Sequence, residues 1–397
     1  MKTNIPERIA ALREAMKEKN IDAYIIPSSD PHLSEYPADR WKSREWISGF
    51  DGSAGTVVIT ADKAGLWTDS RYFLQAGIQL EGSGIELYKM ALPETPTIPD
   101  FLLHEMQNGQ TVGLDGQTYS VADAAQLERT LNRKGIKLEA SYDLIDLVWK
   151  DRPAIPGNPL FEMPVELSGK SVREKLDAIN NLLRKQGADS LIIAALDEVA
   201  WTFNIRGTDV TYNPVVISYA FVSEDESVLF INPGKITAEA AEHLKKEGVV
   251  LADYTMIQKY LSRLPEKSSV FIDPAKTNLS LYTALPKGCT IVEDITPANH
   301  LKSIKNETEI KGFRNAVIKD GIALTRFYIW LEKKLAAGEK VTELSASDKL
   351  TALRAEQPQY IMDSLETICG YAAHGAIVHY EATTATDAEI KADNMLL

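Results

Sequence analysis

At 397 residues the chain is too long for one ordinary hydrophobic core, so two or three domains are expected. Apolar residues make up 44% and charged residues 25%, the balance of a globular protein that dissolves in water. With 43 basic against 56 acidic side chains the formal charge is −13, which argues against nucleic acid or an anionic membrane as a partner.

The first predicted elements are a helix and a strand. Asn4 can cap the helix, Pro6 suits its first turn, and Glu7 lies three residues after the cap. Ile9, Leu12 and Met16 form one apolar stripe, and Ala23–Ile26 reads as a short buried strand. This opening lacks the apolar core of a signal peptide. Further strands are predicted at 56–59, 65–68, 112–115 and 136–139, with helices at 72–78, 98–106 and 121–133. That alternation indicates an α/β domain over residues 1–152. Pro153, Pro156, Pro159 and Pro164 then interrupt the chain. Prolines so dense stop helices and central strands alike, so 153–164 reads as a linker.

Residues 165–300 repeat the opening. Leu176, Ile179 and Leu183 form a stripe, Gly187 ends the helix, and Leu191–Ile193 is the strand. Asp22 and Asp189 occupy equivalent places, and Trp46/Gly52 and Trp201/Gly207 share one spacing. These parallels suggest an internal duplication, although any two α/β units can begin with helix, glycine and strand. Strands are predicted at 214–222 and 227–231, and again around Phe271-Ile272.

From residue 301 the character changes. Asn306 and Glu309 make a capping-box pattern. Ile310, Phe313, Val317, Leu324, Tyr328, Leu331 and Leu335 recur at helical spacing until Gly338. A second helix is predicted over 342–356, then strand-like runs at Thr367-Ile368 and Ala376–Tyr380. The chain closes on the apolar Met395-Leu396-Leu397, which reads as the start of a buried strand. A third domain, 301–397, that stops short of its full length is therefore expected.

The candidate chemistry is sparse. The chain has only two cysteines, Cys289 and Cys369, which is no disulfide framework; reduced thiols in a cytoplasmic protein are the plainer reading. No apolar run approaches the roughly 18 residues that span a bilayer. None of the six histidines belongs to a zinc-type pattern. His379, after an apolar run, can give a hydrogen bond or proton to a developing oxyanion, though a histidine so placed is more often structural. Glu381, Asp387, Glu389 and Asp393 read as solvated turn carboxylates, not a metal cluster. Phe50–Gly55 reads as a tight turn, lacking the pattern and the following helix of a phosphate-binding loop. Arg71, where a strand gives way to a helix, could hold a carboxylate in its guanidinium fork or simply make a surface salt bridge.

Together these pieces resemble a known family. His32-x-Ser34-Glu35-Tyr36, Ser48–Gly55, Trp67–Ala76, Leu196–Trp201, Asn204–Gly207, Tyr212–Val215, Lys305–Glu307, Asp320-Gly321 and Glu366–Tyr380 are similar, in order and spacing, to the long three-domain Xaa-Pro aminopeptidases (aminopeptidase P) of the creatinase/methionine-aminopeptidase "pita-bread" superfamily. The resemblance implies two related creatinase-like α/β domains followed by the incomplete start of an α+β pita-bread catalytic domain. It implies metal-dependent release of an N-terminal residue that precedes proline, with two divalent ions, manganese by expectation. It implies a homodimer acting in the cytoplasm on peptides with proline second.

His379 matches a substrate-facing catalytic histidine of that family, and Arg71 an arginine that helps close the substrate site, within its own subunit or its neighbour's. His374 stands where asparagine is expected and receives no role. All five metal ligands would lie beyond Leu397, so no metal ligand is assigned in this chain, which is expected to be inactive alone and to hold an unsettled third domain. A related Xaa-Pro dipeptidase or creatinase-like hydrolase is the alternative, as is a metal-free module that binds peptides or histones.

Overall fold

A computed structural model describes residues 5–397. The first helix runs Ile5–Glu18 and buries Ile9, Leu12 and Met16 as its stripe requires; the proposed cap, Asn4, lies outside the described residues. Six strands form the first sheet: β1 (Ala23–Pro27), β2 (Thr56–Thr60), β3 (Ala64–Thr68), β4 (Glu86–Lys89), β5 (Thr111–Leu114) and β6 (Lys137–Glu139), in the order β4-β3-β2-β1-β5-β6.

β1 is central and apolar at almost every position because both faces of the sheet are covered. Side chains alternate along a strand, so β1 feeds two cores at once. Tyr24 and Ile26 pack with the first helix, while Ala23 and Ile25 pack with Leu127 and Leu131 of helix Val121–Asn132. Helix Ser43–Ser48, strand β4 and helix Leu144–Val148 escape the sequence reading. The two helices span five or six residues, too short for a periodic signal, and β4 is half exposed.

The proline-dense linker has almost no regular structure. Its one strand, β7 (Phe161–Glu162), pairs with β9 (Ile205–Arg206). The second sheet comprises β8 (Ser190–Ile193), β10 (Ser218–Ser223), β11 (Ser227–Ile231), β12 (Val249–Ala252), β13 (Ser269–Ile272) and β14 (Thr290–Glu293). Its order, β12-β11-β10-β8-β13-β14, copies the first sheet strand for strand, with the same parallel and antiparallel pairings. The duplication extends to side chains. Asp22 accepts from the Thr111 N–H at 2.8 Å, and Asp189 accepts from the Ser269 N–H at 2.9 Å.

The strand expected from residue 214 starts only at Ser218. Before it, the buried Asp209 carboxylate takes the Ile217 N–H at 2.7 Å and the Lys235 ammonium, holding Val215–Ile217 as a packed loop instead.

The two α/β units are joined by a buried polar knot. His32 is bonded through Nδ1 to the Ala194 carbonyl (2.8 Å) and through Nε2 to the Tyr254 hydroxyl (2.9 Å). The Pro31 carbonyl accepts from Tyr219 (3.0 Å) and Asn278 (2.7 Å). Around this knot Trp41 packs with Leu196, Val210 and Ile217.

The third unit opens with the 30-residue helix Glu307–Ala336, whose Asn306/Glu309 capping box is formed in both directions. Helix Glu343–Ala355 packs on its second half, burying Ala323, Phe327 and Leu331. The apolar stripe read from sequence is largely on the outside: Phe313 is 60% exposed, Val317 71% and Tyr328 59%.

The expected strand at Ala376–Tyr380 is also absent. Residues Ala372–Ala376 form a 3₁₀ turn, and the chain doubles back so that Tyr371 pairs with Leu396 in a single bridge. Apolar spacing cannot distinguish such a compact loop from a short strand.

Candidate functional site

The site is assembled from β3 outwards. As β3 ends, Asp69 caps the turn Ser70–Tyr72 by accepting the Arg71 N–H at 3.1 Å. The same carboxylate grips the Arg71 side chain with two bonds of 2.8 Å, from Nε and Nη2. This planar fork fixes the guanidinium and leaves Nη1 free of Asp69. The pairing lowers the Asp69 carboxyl below the usual carboxylate range and raises the Arg71 guanidinium, with Glu35 adding a smaller push. Arg71 thus forms the surface salt bridge that the sequence allowed, with one donor edge that Asp69 does not use.

That free edge meets the third unit. Arg71 Nη1 lies 3.4 Å from Nε2 of His379 in the same chain, 308 residues away. The imidazole also stacks on Tyr72, ring centroids 5.6 Å apart and planes 17° from parallel. The structure therefore brings together the two residues singled out from sequence, on an exposed patch at the junction of the first and third units.

The ground beneath Tyr72 explains the glycine-rich turn at Phe50–Gly55. Tyr72 is 1% exposed; it is bonded to Ser53 Oγ at 2.7 Å and set edge-on to Phe50. A Cβ on Gly52 would sit 2.3 Å from Phe50 Cζ and 2.6 Å from Tyr72 Cδ1, so glycine is required here for space. Buried Arg44 donates to the carbonyls of Phe50 and Gly52 and to Ser28 Oγ (2.9 Å), satisfying the turn from below. Burial lowers the Arg44 guanidinium to about 10.

On the other side, one carboxylate organises the loop that carries His379. Glu343, whose side chain is fully buried, accepts from the Tyr371 N–H (2.7 Å), the Ala388 N–H (3.0 Å), the Tyr380 hydroxyl (2.8 Å) and His374 Nδ1 (2.9 Å). Burial pushes its carboxyl upwards, but these hydrogen bonds outweigh that and hold it below the usual range. His374, unassigned from sequence, bonds this carboxylate and stacks on Tyr380 at 4.4 Å. Nothing in the sequence marked Glu343, which sits in the first turn of an ordinary helix and shows its importance only by what folds onto it.

Two more carboxylates, Glu366 and Glu381, approach each other in the loop that carries His379, with Tyr212 and Lys42 close by. Burial first, then the Glu381 contact and charge, raise the Glu366 carboxyl to about 8. They border a cleft of about 500 Å³ between Thr208–Tyr212 of the second unit and the third, with Asp348 and Asp363 also on its wall. The expected solvated turn carboxylates are thus more engaged than their composition suggested: Asp387 accepts the Leu344 N–H at 3.0 Å, and Asp393 the Tyr371 hydroxyl.

Comparison with known proteins fits this geometry. The Creatinase/Prolidase N-terminal domain family matches twice, over residues 8–148 and 151–309, the two halves of the duplication. A probable Xaa-Pro aminopeptidase P of Pyricularia oryzae is 37% identical across all of this chain, which covers 67% of that protein. This chain belongs to the Xaa-Pro aminopeptidase P family.

Another probable family member, from Laccaria bicolor, is 40% identical over 99% of the chain, and the chain spans 62% of its length. The crystal structure of X-prolyl aminopeptidase from Caenorhabditis elegans, described as a cytosolic enzyme with a di-nuclear active site, superposes with a TM-score of 0.94 at 31% identity. It covers 99% of this chain and 66% of its own. Among the described residues no three His, Cys, Asp or Glu gather into a metal-binding group. No helix is long and apolar enough to cross a membrane.

Proposed function

We propose that the chain serves an Xaa-Pro aminopeptidase, which removes the first residue of a peptide whose second residue is proline, and that its own residues bind and orient that peptide. The observation that carries this reading is the convergence of Arg71 and His379 on one exposed point. The bond to proline is a tertiary amide, with no N–H to offer and a ring that fixes the backbone torsion, so recognition must go through the carbonyl and the shape of the ring. In this reading His379 donates to the carbonyl oxygen, and Arg71 supplies a permanent positive charge beside it. That charge persists across the working pH range because a guanidinium does not lose its proton there, and Asp69 raises it further.

Two divalent ions, manganese in this reading, belong to the same proposal, supported by the relative described as having a di-nuclear active site; such ions would supply Lewis-acid chemistry. A homodimer belongs to the same proposal, as does a cytoplasmic location, the latter supported by the relative described as cytosolic.

The test is release of the first residue from an Xaa-Pro peptide with manganese, by this chain and by a form continued to the length of its relatives. Turnover by the longer form, with peptides of three or more residues favoured over dipeptides, supports the reading. Dipeptide preference would make it a dipeptidase, and absence of turnover would leave a peptide-binding module.

A further inference from the structure

We infer that Tyr72 is the positioning residue of His379: the first domain supplies a rigid aromatic shelf that sets the plane and reach of the site imidazole. Without support His379 would be loosely held. It is exposed, it follows an irregular turn, and the neighbouring Val378 is 52% exposed. Among the described residues, its side-chain hydrogen-bond partner and its ring-stacking partner both come from the first domain, the Arg71 edge at 3.4 Å and the Tyr72 face at 5.6 Å between centroids.

Tyr72, by contrast, is enclosed on every side but the one His379 covers. Its ring is 1% exposed, its hydroxyl is held by Ser53 at 2.7 Å, and Phe50 stands edge-on to it. The absence of a Cβ at Gly52 gives the ring its space, and Arg44 clamps the carbonyls that shape that turn. A chain of rigid contacts therefore runs from the first-domain core through Gly52 and Ser53 to Tyr72, and ends on the imidazole.

A near-parallel stack restrains ring tilt, while the Arg71 edge restrains rotation within the plane. Both restraints are needed if one ring nitrogen is to point repeatedly at the same substrate atom, because misplacement by about 1 Å can cost about a hundredfold in rate. The inference rests on the proposed function for what His379 does, and on geometry alone for how it is held.

The deciding experiment is nuclear magnetic resonance of the 397-residue chain with labelled histidine and tyrosine. Through-space cross-peaks between the Tyr72 and His379 rings are expected, with the His379 ring protons displaced upfield by the stacked face. Tyr72→Phe keeps both signatures, Tyr72→Leu loses them, and Gly52→Ala alters them without touching His379. Absence of the cross-peaks in the unsubstituted chain overturns the inference, as does an unchanged His379 signal in folded Tyr72→Leu. If Tyr72→Leu does not fold, the unsubstituted chain and Tyr72→Phe still decide.

In a form that turns over Xaa-Pro peptides, Tyr72→Leu lowers kcat/KM by about tenfold to a hundredfold. It adds nothing in a His379→Ala background, since residues that act through one another are not additive. Additive losses would overturn the positioning role. If no form cleaves such peptides, the proposed function falls while the resonance experiment still judges the stack.

Discussion

Arg71 and Asp69 form a partly exposed ion pair, and such pairs contribute about 0–1 kcal/mol to stability. Arg71→Ala should therefore barely move the unfolding midpoint of the chain. Its effect belongs to binding. Losing a charge-assisted bond of about 1.5–3 kcal/mol should lower kcat/KM for an Xaa-Pro peptide by roughly ten- to a hundredfold in a turnover-competent form. Arg71→Lys should not restore it, because an ammonium cannot hold Asp69 with two bonds and still present a third donor edge. Steady-state kinetics beside thermal unfolding would check this split; equal losses in both would point to a structural role.

Glu343 is the reverse case, a residue whose work is stability. Glu343→Gln turns two acceptor oxygens into one acceptor and one donor facing N–H and O–H groups, a cost of about 2–3 kcal/mol concentrated in residues 341–397. Its folded carboxyl lies below the unfolded value of about 4.3, so its contribution is complete above that pH and is lost as pH falls through the lower folded value. Hydrogen exchange of the Tyr371 and Ala388 amides should therefore accelerate on acidification below about pH 4, and should already be fast at neutral pH in Glu343→Gln.

The same contrast between local signal and later packing runs through the elements. The first helix, the central strands and the long helix were legible because each carries a period or a capping pattern that tertiary contacts do not override. Asn306 with Glu309 fixed one helix start correctly. What failed was the inference from stripe to burial. Ile310, Phe313 and Val317 keep the helical spacing, yet within this chain only the second half of that helix has a partner, helix Glu343–Ala355.

Phe327→Ala, on the packed half, should cost about 3–5 kcal/mol. Phe313→Ala should cost under about 0.5 kcal/mol in the same chain, as a surface change does. Urea unfolding would separate the two, and equal costs would mean that the outer face is covered in solution.

The site divided in the same way. His379 and Arg71 stood out because their neighbours form recognisable runs. The turn around Ala372–Ala376 hid from periodicity because it is shaped by hydrogen bonds to Glu343, which lies about thirty residues away in sequence.

At the scale of the whole molecule, two different joints hold three units. The joint between the duplicated domains is buried, with the Asp30 carboxylate accepting the His32 N–H at 2.9 Å and opposing the effect of burial on the imidazole. Burial, the largest influence on His32, lowers its pKa and disfavours the charged imidazole, so this joint should not respond to pH near neutrality.

The joint to the third unit is charged and half open. Glu366 faces Glu381 on its own unit, Tyr212 from the second and Lys42 from the first, with Asp363 and Asp348 farther along the cleft. Its folded carboxyl is raised to about 8, above the unfolded value of about 4.3. The proton therefore stabilises the folded joint. That contribution is complete below about pH 4 and disappears as pH rises through about 8, where two carboxylates must share one corner.

Raising the pH from 6 to 9 should loosen the third unit against the second while leaving the first two domains docked. Amide exchange near Glu366 should quicken, and exchange at the His32 joint should not. Glu366→Gln keeps a hydrogen-bonding neighbour for Glu381 without the second charge, and should remove most of the pH response. A response of equal size in Glu366→Gln would place the titrating group elsewhere. Because Glu381 is two residues from His379, the same proton would also tune how firmly the site histidine is presented to Arg71 and Tyr72. A form that turns over peptides should then lose activity on the alkaline side with an apparent midpoint near that of the joint, and Glu366→Gln should shift or abolish that limb.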